Sequence, residues 1–184
     1  MRIVLTFTML FIALSSYGQV TIEEPEFAEQ TLLVKSDTEG IMLPRENGFI
    51  KTKAGASIYL VGIGKIKSRI TLNGPTTSVS TEQRPEIRLI LKSVDNKTDP
   101  KSFISIFKFE VKPKIRQVQV SEIGTFGSSD QSLSSLDYNA KKYGEASYLI
   151  VLEDLEPGEY GIMIGDPNKL TEKNQLKITT FSVK

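Results

Sequence analysis

The 184-residue chain contains no cysteine, no histidine and no tryptophan. Without thiol and imidazole, neither a Ser-His-Asp triad nor a Cys-His pair can be assembled. Zinc and copper centres lean on the same two groups, so a transition-metal site would need carboxylates alone. Disulfides are excluded as well, and a chain of this length can bury enough core to be stable without them. Charge of one sign is also lacking: 23 Lys and Arg against 22 Asp and Glu leave a formal net charge of +1. A nucleic-acid partner calls for a surplus of cations to neutralise phosphates, and this balance argues against one.

Long apolar runs are scarce too. The one present, Ile3 to Leu14, is broken by Thr6 and Thr8, follows Met1-Arg2 and precedes Ser15-Ser16-Tyr17-Gly18-Gln19. It is too short to cross a bilayer comfortably, and the small residues Ser16 and Gly18 stand where signal peptidase reads the chain. Residues 1–18 are therefore expected to be a signal peptide, cleaved after Gly18, with no lipoprotein cysteine behind it. The mature chain, residues 19–184, is expected to be a single domain without a transmembrane segment. Its expected location is the periplasm, the cell surface or the extracellular space.

What the mature sequence does contain is short-range alternation of apolar and polar residues, the period of strands with one face on a core. Thr31 to Lys35, Ala56 to Ile63 and Arg69 to Leu72 read as strands, punctuated by Gly40, Pro44, Gly48, Gly55, Gly64, Gly74 and Pro75. Ile87, Leu89 and Leu91 share one strand face, with Arg88 and Lys92 on the other. After a turn at Asp95 to Pro100, the run Phe103 to Val111 places Phe103, Phe107, Phe109 and Val111 on one face and Ile104 and Ile106 on the other. Apolar residues on both faces predict a central strand, partly covered on its outer side. Lys112-Pro113-Lys114 turns the chain into Ile115 to Glu122, with Val118 and Val120 inward. Gly124 to Asn139 reads as a long Ser-rich loop. Ser147 to Glu153, Glu159 to Ile164 and Leu176 to Val183 close the chain. The expected fold is all-β, an antiparallel sandwich with room for extra N-terminal strands, of which residues 19–84 could form a semi-separate subregion.

Leu155-Glu156-Pro157-Gly158-Glu159-Tyr160 joins the first two closing strands. Proline and glycine set a tight turn, and Tyr160, just inside the next strand, can return its hydroxyl to the backbone upstream. This L-x-P-G-x-Y segment resembles the tyrosine corner of fibronectin-type III and related immunoglobulin-like modules. The wider layout resembles exported bacterial sandwich proteins. The resemblance implies an immunoglobulin-like sandwich, with structural roles for Leu155, Pro157, Gly158 and Tyr160, and implies no activity. The tryptophan and cysteine pair of antibody domains are missing.

Other segments offer chemistry only weakly. Gly62-Ile63-Gly64-Lys65-Ile66-Lys67-Ser68 lacks phosphate-loop spacing and reads as a strand end or bulge. Glu153, Asp154, Glu156 and Glu159 contain the carboxylates a glycosidase needs, but charge runs at turns read as a solvated rim. Asp95, Asn96 and Asp99, and Asp166 and Asn168, have hard oxygen ligands without the spacing of a calcium loop. Lys108, Lys112, Lys114 and Arg116, with Lys141 and Lys142, could meet anionic lipid or polysaccharide; the alternative is the solvent face of two strands. Phe126, Leu133, Leu136 and Tyr138 in the Ser-rich loop are either a partner surface or a cap on the core. The candidate binding residues are therefore Phe126, Leu133, Leu136, Tyr138, Lys112, Lys114 and Arg116, with no catalytic residue, metal or cofactor. The expected function is non-catalytic binding of a protein or glycan of the cell envelope through loops of the sandwich. A carboxylate-based carbohydrate-active enzyme and a structural subunit of a cell-surface assembly are the alternatives.

Overall fold

Alternating side chains build fourteen strands in the computed structural model, which describes residues 20–54, 65–124, 129–130, 133–165 and 175–184. They are β1 Thr31–Val34, β2 Gly40–Met42, β3 Arg45–Ala54, β4 Lys65–Asn73, β5 Ser80–Thr81, β6 Glu86–Lys92, β7 Ile104–Lys108, β8 Glu110–Lys112, β9 Ile115–Gly124, β10 Ser129–Asp130, β11 Asn139–Tyr143, β12 Ser147–Glu153, β13 Gly158–Ile164 and β14 Gln175–Val183. The expected signal peptide, the strand read at Ala56 to Ile63, the Gly62–Gly64 segment, Phe126 and the Asp166–Asn168 turn lie outside the described residues.

The strands form an all-β sandwich. One sheet runs β11-β12-β6-β1-β2, and the other runs β10-β9-β4-β3-β14-β13-β7. Their pairings are antiparallel except for β5, which joins β14 in parallel. Seven strands, β1, β6, β12 and β11 against β7, β13 and β14, reproduce the two-sheet order of an immunoglobulin sandwich. The remaining strands are insertions. The hairpin of β3 and β4 extends the second sheet beyond β14, and β9 then pairs with β4 and, through its other edge, with β8. Because β8 continues β7 across Phe109, the second sheet rolls into a nearly closed barrel. The early strands are woven into both sheets, β1 with β6 and β3 with β14.

Alternation then separates the cores. Ile104, Ile106, Tyr160, Ile162, Phe181 and Val183 face the first sheet and meet Leu89, Leu91, Ile150 and Leu152. The opposite faces of the same strands put Phe107, Phe109, Met163 and Ile178 inside the barrel with Ile70, Leu72, Val118 and Val120. Thus β7 is apolar on both faces because it serves two cores. Phe103 and Val111 do not follow Phe107: Phe103 packs on the sandwich core, and Val111 is exposed. Gly48 lies inside β3 and does not punctuate it. A Cβ there would approach Ile70 to 3.0 Å and Ile178 to 3.2 Å.

Tyr160 closes the corner between β12 and β13. Tyr160 is buried, stacks on Phe181 with ring centroids 5.3 Å apart, and donates its hydroxyl to the Glu156 carbonyl at 2.5 Å. Ile162, two residues on, stands where an antibody domain has its second cysteine; here apolar packing makes the link between sheets. Tyr160→Phe should lower the unfolding free energy by about 1 kcal/mol, since a buried carbonyl loses its donor. Chemical denaturation would register this, and an unchanged midpoint would count against the corner.

The N-terminal segment seals the outer face of the first sheet. Val20, Val34, Ile90 and Leu149 form a third apolar cluster, and the Tyr143 hydroxyl donates to the Ile22 carbonyl. Glu24 accepts hydrogen bonds from Ser147 Oγ, the Glu145 and Ala146 amides and Lys92 Nζ. Desolvation works to raise its pKa, but these donors outweigh it and hold the carboxyl down at about 2 against the usual 4.5. A depressed carboxylate stabilises the folded state above its unfolded pKa and loses that contribution as pH falls through the folded value. Glu24→Gln should therefore cost about 2 kcal/mol at neutral pH, after allowance for solvent screening. The gap from wild type should close as pH falls from 4.5 towards 2. Denaturant titrations across that range would check it; a gap independent of pH would refute the role of the charge.

Candidate functional site

The described apolar residues of the Ser-rich segment, Leu133, Leu136 and Tyr138, belong to the core. Leu133 packs on the barrel cluster, Leu136 on the sandwich cluster, and Tyr138 is buried beside Leu136. Backbone bonds hold them there: the Leu136 amide donates to the Ile106 carbonyl at 2.6 Å, and Ser135 Oγ also bonds to Ile106. Residues 133–138 thereby cover the edge of β7 that β13 leaves open, a common way of protecting a sheet edge. The Tyr138 hydroxyl donates to the Ile104 carbonyl, and burial, helped by the charges of Asp99 and Asp137, pushes its pKa up to about 12. Among the described members of this group, none presents the free apolar surface a partner would need.

The basic group read at the β8–β9 hairpin divides. Lys112 and Lys114 are exposed, and Lys112 pairs with Glu110 at 3.4 Å. Lys108 pairs with Glu156 at 2.8 Å, a hydrogen bond that raises the lysine pKa. Lys141 and Lys142 sit on β11, the edge of the other sheet. Arg116 is not a surface residue at all: it is fully buried at one end of the barrel. Its guanidinium meets Glu46 at 2.6 Å and Glu159 at 3.4 Å, donates to the Gly74 and Asn73 carbonyls, and lies 5.7 Å from the Phe109 ring. Glu46 also accepts from Thr180 Oγ1 at 2.6 Å, and Glu159 from the Thr77 amide at 2.9 Å. This network is structural, because every donor and acceptor faces another within the fold.

The same network corrects the reading of the carboxylates near Pro157. Glu159 points into the barrel rather than to a solvated rim, since in β13 it alternates with Tyr160, which faces the other core. Glu156 remains exposed on Lys108, and Glu153 meets the Asn139 amide at 3.4 Å. Asp95 and Asp99 cap their own turns by accepting from the Lys97 and Lys101 amides. Among the described residues, no three carboxylates converge as a metal site would require.

The surface that does concentrate one kind of chemistry is the exterior of β3 and β4. On this side Arg45, Asn47, Lys51, Lys53 and Asn73 are exposed, Phe49, Lys67 and Arg69 are partly exposed, and Thr71 is buried. The barrel side of β3 carries Glu46, Gly48 and Ile50 and that of β4 Ile70 and Leu72, with the partly exposed Ile66 and Ser68 and the exposed Thr52 continuing the same face, where Thr52 and Ser68 share a hydrogen bond. The exterior positions are Arg45, Asn47, Phe49, Lys51 and Lys53, and Lys67, Arg69, Thr71 and Asn73; none is a carboxylate. Register sets like charges face to face, with Lys51 opposite Arg69 and Lys53 opposite Lys67. Lys51 and Lys53 are exposed, and neither forms an ion pair among the described residues. Lys177, exposed on β14, reaches Asn47 Oδ1 at 2.6 Å and extends the cationic row. The face is not free of acids: Arg45 pairs with Glu29, position 122 stands opposite Lys67 in register, and Glu110, its pKa lowered chiefly by the hydrogen bond from Gln117, feels the charge of Arg69.

Sequence reading missed this face because β3 has no apolar alternation to mark it as a strand. Residues 51 and 69 are neighbours only through the hairpin register. The chain matches no protein family, no curated protein and no solved structure.

Proposed function

We propose that the mature chain is a non-catalytic, exported protein of the cell envelope that binds a protein or glycan partner, and that the partner docks on the cationic exterior of β3 and β4. The observation that carries this reading is the pairing of Lys51 with Arg69 and of Lys53 with Lys67. Directly opposed like charges destabilise a sheet, on the order of 0.5 kcal/mol for each pair. Here they stand on a chain with nearly balanced charge overall, so the clustering is local and owes nothing to a general excess of lysine. An anionic partner gains from the field of the exposed Lys51 and Lys53. This moves the binding surface from the Ser-rich loop to a sheet face built on rigid strands.

The test is capture from the native host's envelope fraction on immobilised mature protein, beside the double variant Lys51→Glu with Lys53→Glu. Each glutamate faces a cation, Arg69 or Lys67, so the variant should fold at least as stably as wild type. A component should be retained by wild type, released as salt rises, and lost from the variant. Equal retention by both proteins would overturn the assignment.

A further inference from the structure

We infer that the ligand of the cationic face is an acidic polysaccharide, a linear glycan bearing carboxylates, laid along β3 and β4. This rests on the docking surface proposed above and adds the class of its ligand. Side chains on one face of a strand repeat about every 7 Å, and neighbouring strands lie about 5 Å apart. Lys51 and Lys53 therefore make a short exposed row of charge along β3, beside the partly exposed Lys67 and Arg69 of β4. An open row suits an extended polymer that repeats its charge along its length, whereas a small anion would be left largely in water.

The aromatic side chain on the face points to sugar. Phe49 is partly exposed, occupies the exterior position two residues before Lys51, and stands opposite Thr71, itself two residues after Arg69. A ring beside cations offers a flat π-surface to the C–H face of a pyranose while the lysines take its carboxylate. Beyond Phe49 the row continues through Asn47 and Lys177, polar groups able to bond hydroxyls. Glu110 and the Glu122 position close the β9 side, so the ligand's path follows β3.

A lipid surface fits less well. Among the described residues, the exposed large apolar side chains, Phe27, Ile41, Met42, Val94 and Val111, all lie off β3 and β4, whereas a membrane-binding face combines its cations with side chains that enter the acyl boundary.

The experiment is fluorescence anisotropy of the mature protein with labelled oligogalacturonate, beside neutral dextran and vesicles of phosphatidylcholine containing phosphatidylglycerol. Oligogalacturonate should bind and weaken by about tenfold as salt rises from about 50 to about 300 mM. Lys51→Gln with Arg69→Gln should weaken binding by about tenfold, and Phe49→Ala by about threefold with the salt dependence retained. All variants are first shown to melt as wild type does, and any that does not is replaced by the single Lys53→Gln. Failure of wild type to bind oligogalacturonate, or equal binding of dextran, overturns the inference. Binding to the vesicles alone, lost in the Lys51→Gln, Arg69→Gln variant, overturns the polysaccharide and leaves the cationic docking surface standing. If envelope capture is also insensitive to Lys51→Glu with Lys53→Glu, the docking surface falls too.

Discussion

Arg116→Ala should destabilise the protein by about 3–5 kcal/mol, because it leaves two carboxylates at the barrel end without their cation. Glu159 is buried and Glu46 partly so, and both aim at the guanidinium. The Gly74 and Asn73 carbonyls lose their donors in the same step, and Phe109 loses the cation over its ring. The cost comes from stranding the partners, so removing the charges together should be far milder. Arg116→Met combined with Glu46→Gln and Glu159→Gln should recover more than half of the loss, as apolar and neutral substitutes often do for buried ion sets. Urea denaturation of the three proteins would decide it. A loss below about 1 kcal/mol for Arg116→Ala would show that water reaches the carboxylates and that the barrel end is open.

Gly161→Ala should cost about 3 kcal/mol although alanine is ordinarily the better residue inside a strand. Tyr160 and Ile162 face the sandwich core, so position 161 faces the barrel, directly opposite Phe107 in register. A Cβ there would lie 2.5 Å from Phe107 Cε2 and 2.8 Å from the Cζ atoms of both Phe107 and Phe109. Neither ring has room to withdraw: they meet edge to face at 5.2 Å, Phe107 is fully buried, and Arg116 lies over Phe109. Adding Phe107→Leu should restore part of the lost stability by freeing the volume that the methyl group needs. Equal denaturation midpoints for wild type and Gly161→Ala would mean that the aromatic pair shifts freely, contrary to a close-packed barrel.

How far the sequence could be read depended on how each strand shares its faces between core and solvent. For β6, β12, β13 and β14 the apolar residues alternate because each has at least one face on the sandwich core, and these strands were legible within a residue or two. β7 was legible as apolar on both faces, since Phe107 and Ile106 face different cores, but it ends its sheet instead of standing at the centre, its free edge covered by residues 133–138. β3 was illegible for a physical reason: its barrel-side face holds Glu46, Gly48, Ile50 and the exposed Thr52, with only one apolar side chain. The missing bulk is supplied from across the barrel by Ile70 and Ile178, which fill the space over Gly48. The candidate site inherited that illegibility, because its charges become a patch only when β3 pairs with β4.

Determined by the sequence alone were the all-β class, the turn and buried tyrosine at Pro157 to Tyr160, and the exclusion of thiol and imidazole chemistry. These follow from local periodicity and composition, which need no knowledge of distant neighbours. Only the tertiary structure decided that the second sheet curls into a barrel, that Arg116 is a buried counter-ion, and that Leu133, Leu136 and Tyr138 cap cores. It alone set Lys51 beside Arg69. Each of these depends on contacts between residues far apart in the chain. Arg116 and Glu46 are 70 positions apart, and a charged side chain reads as solvent-exposed until the fold brings its partner to it.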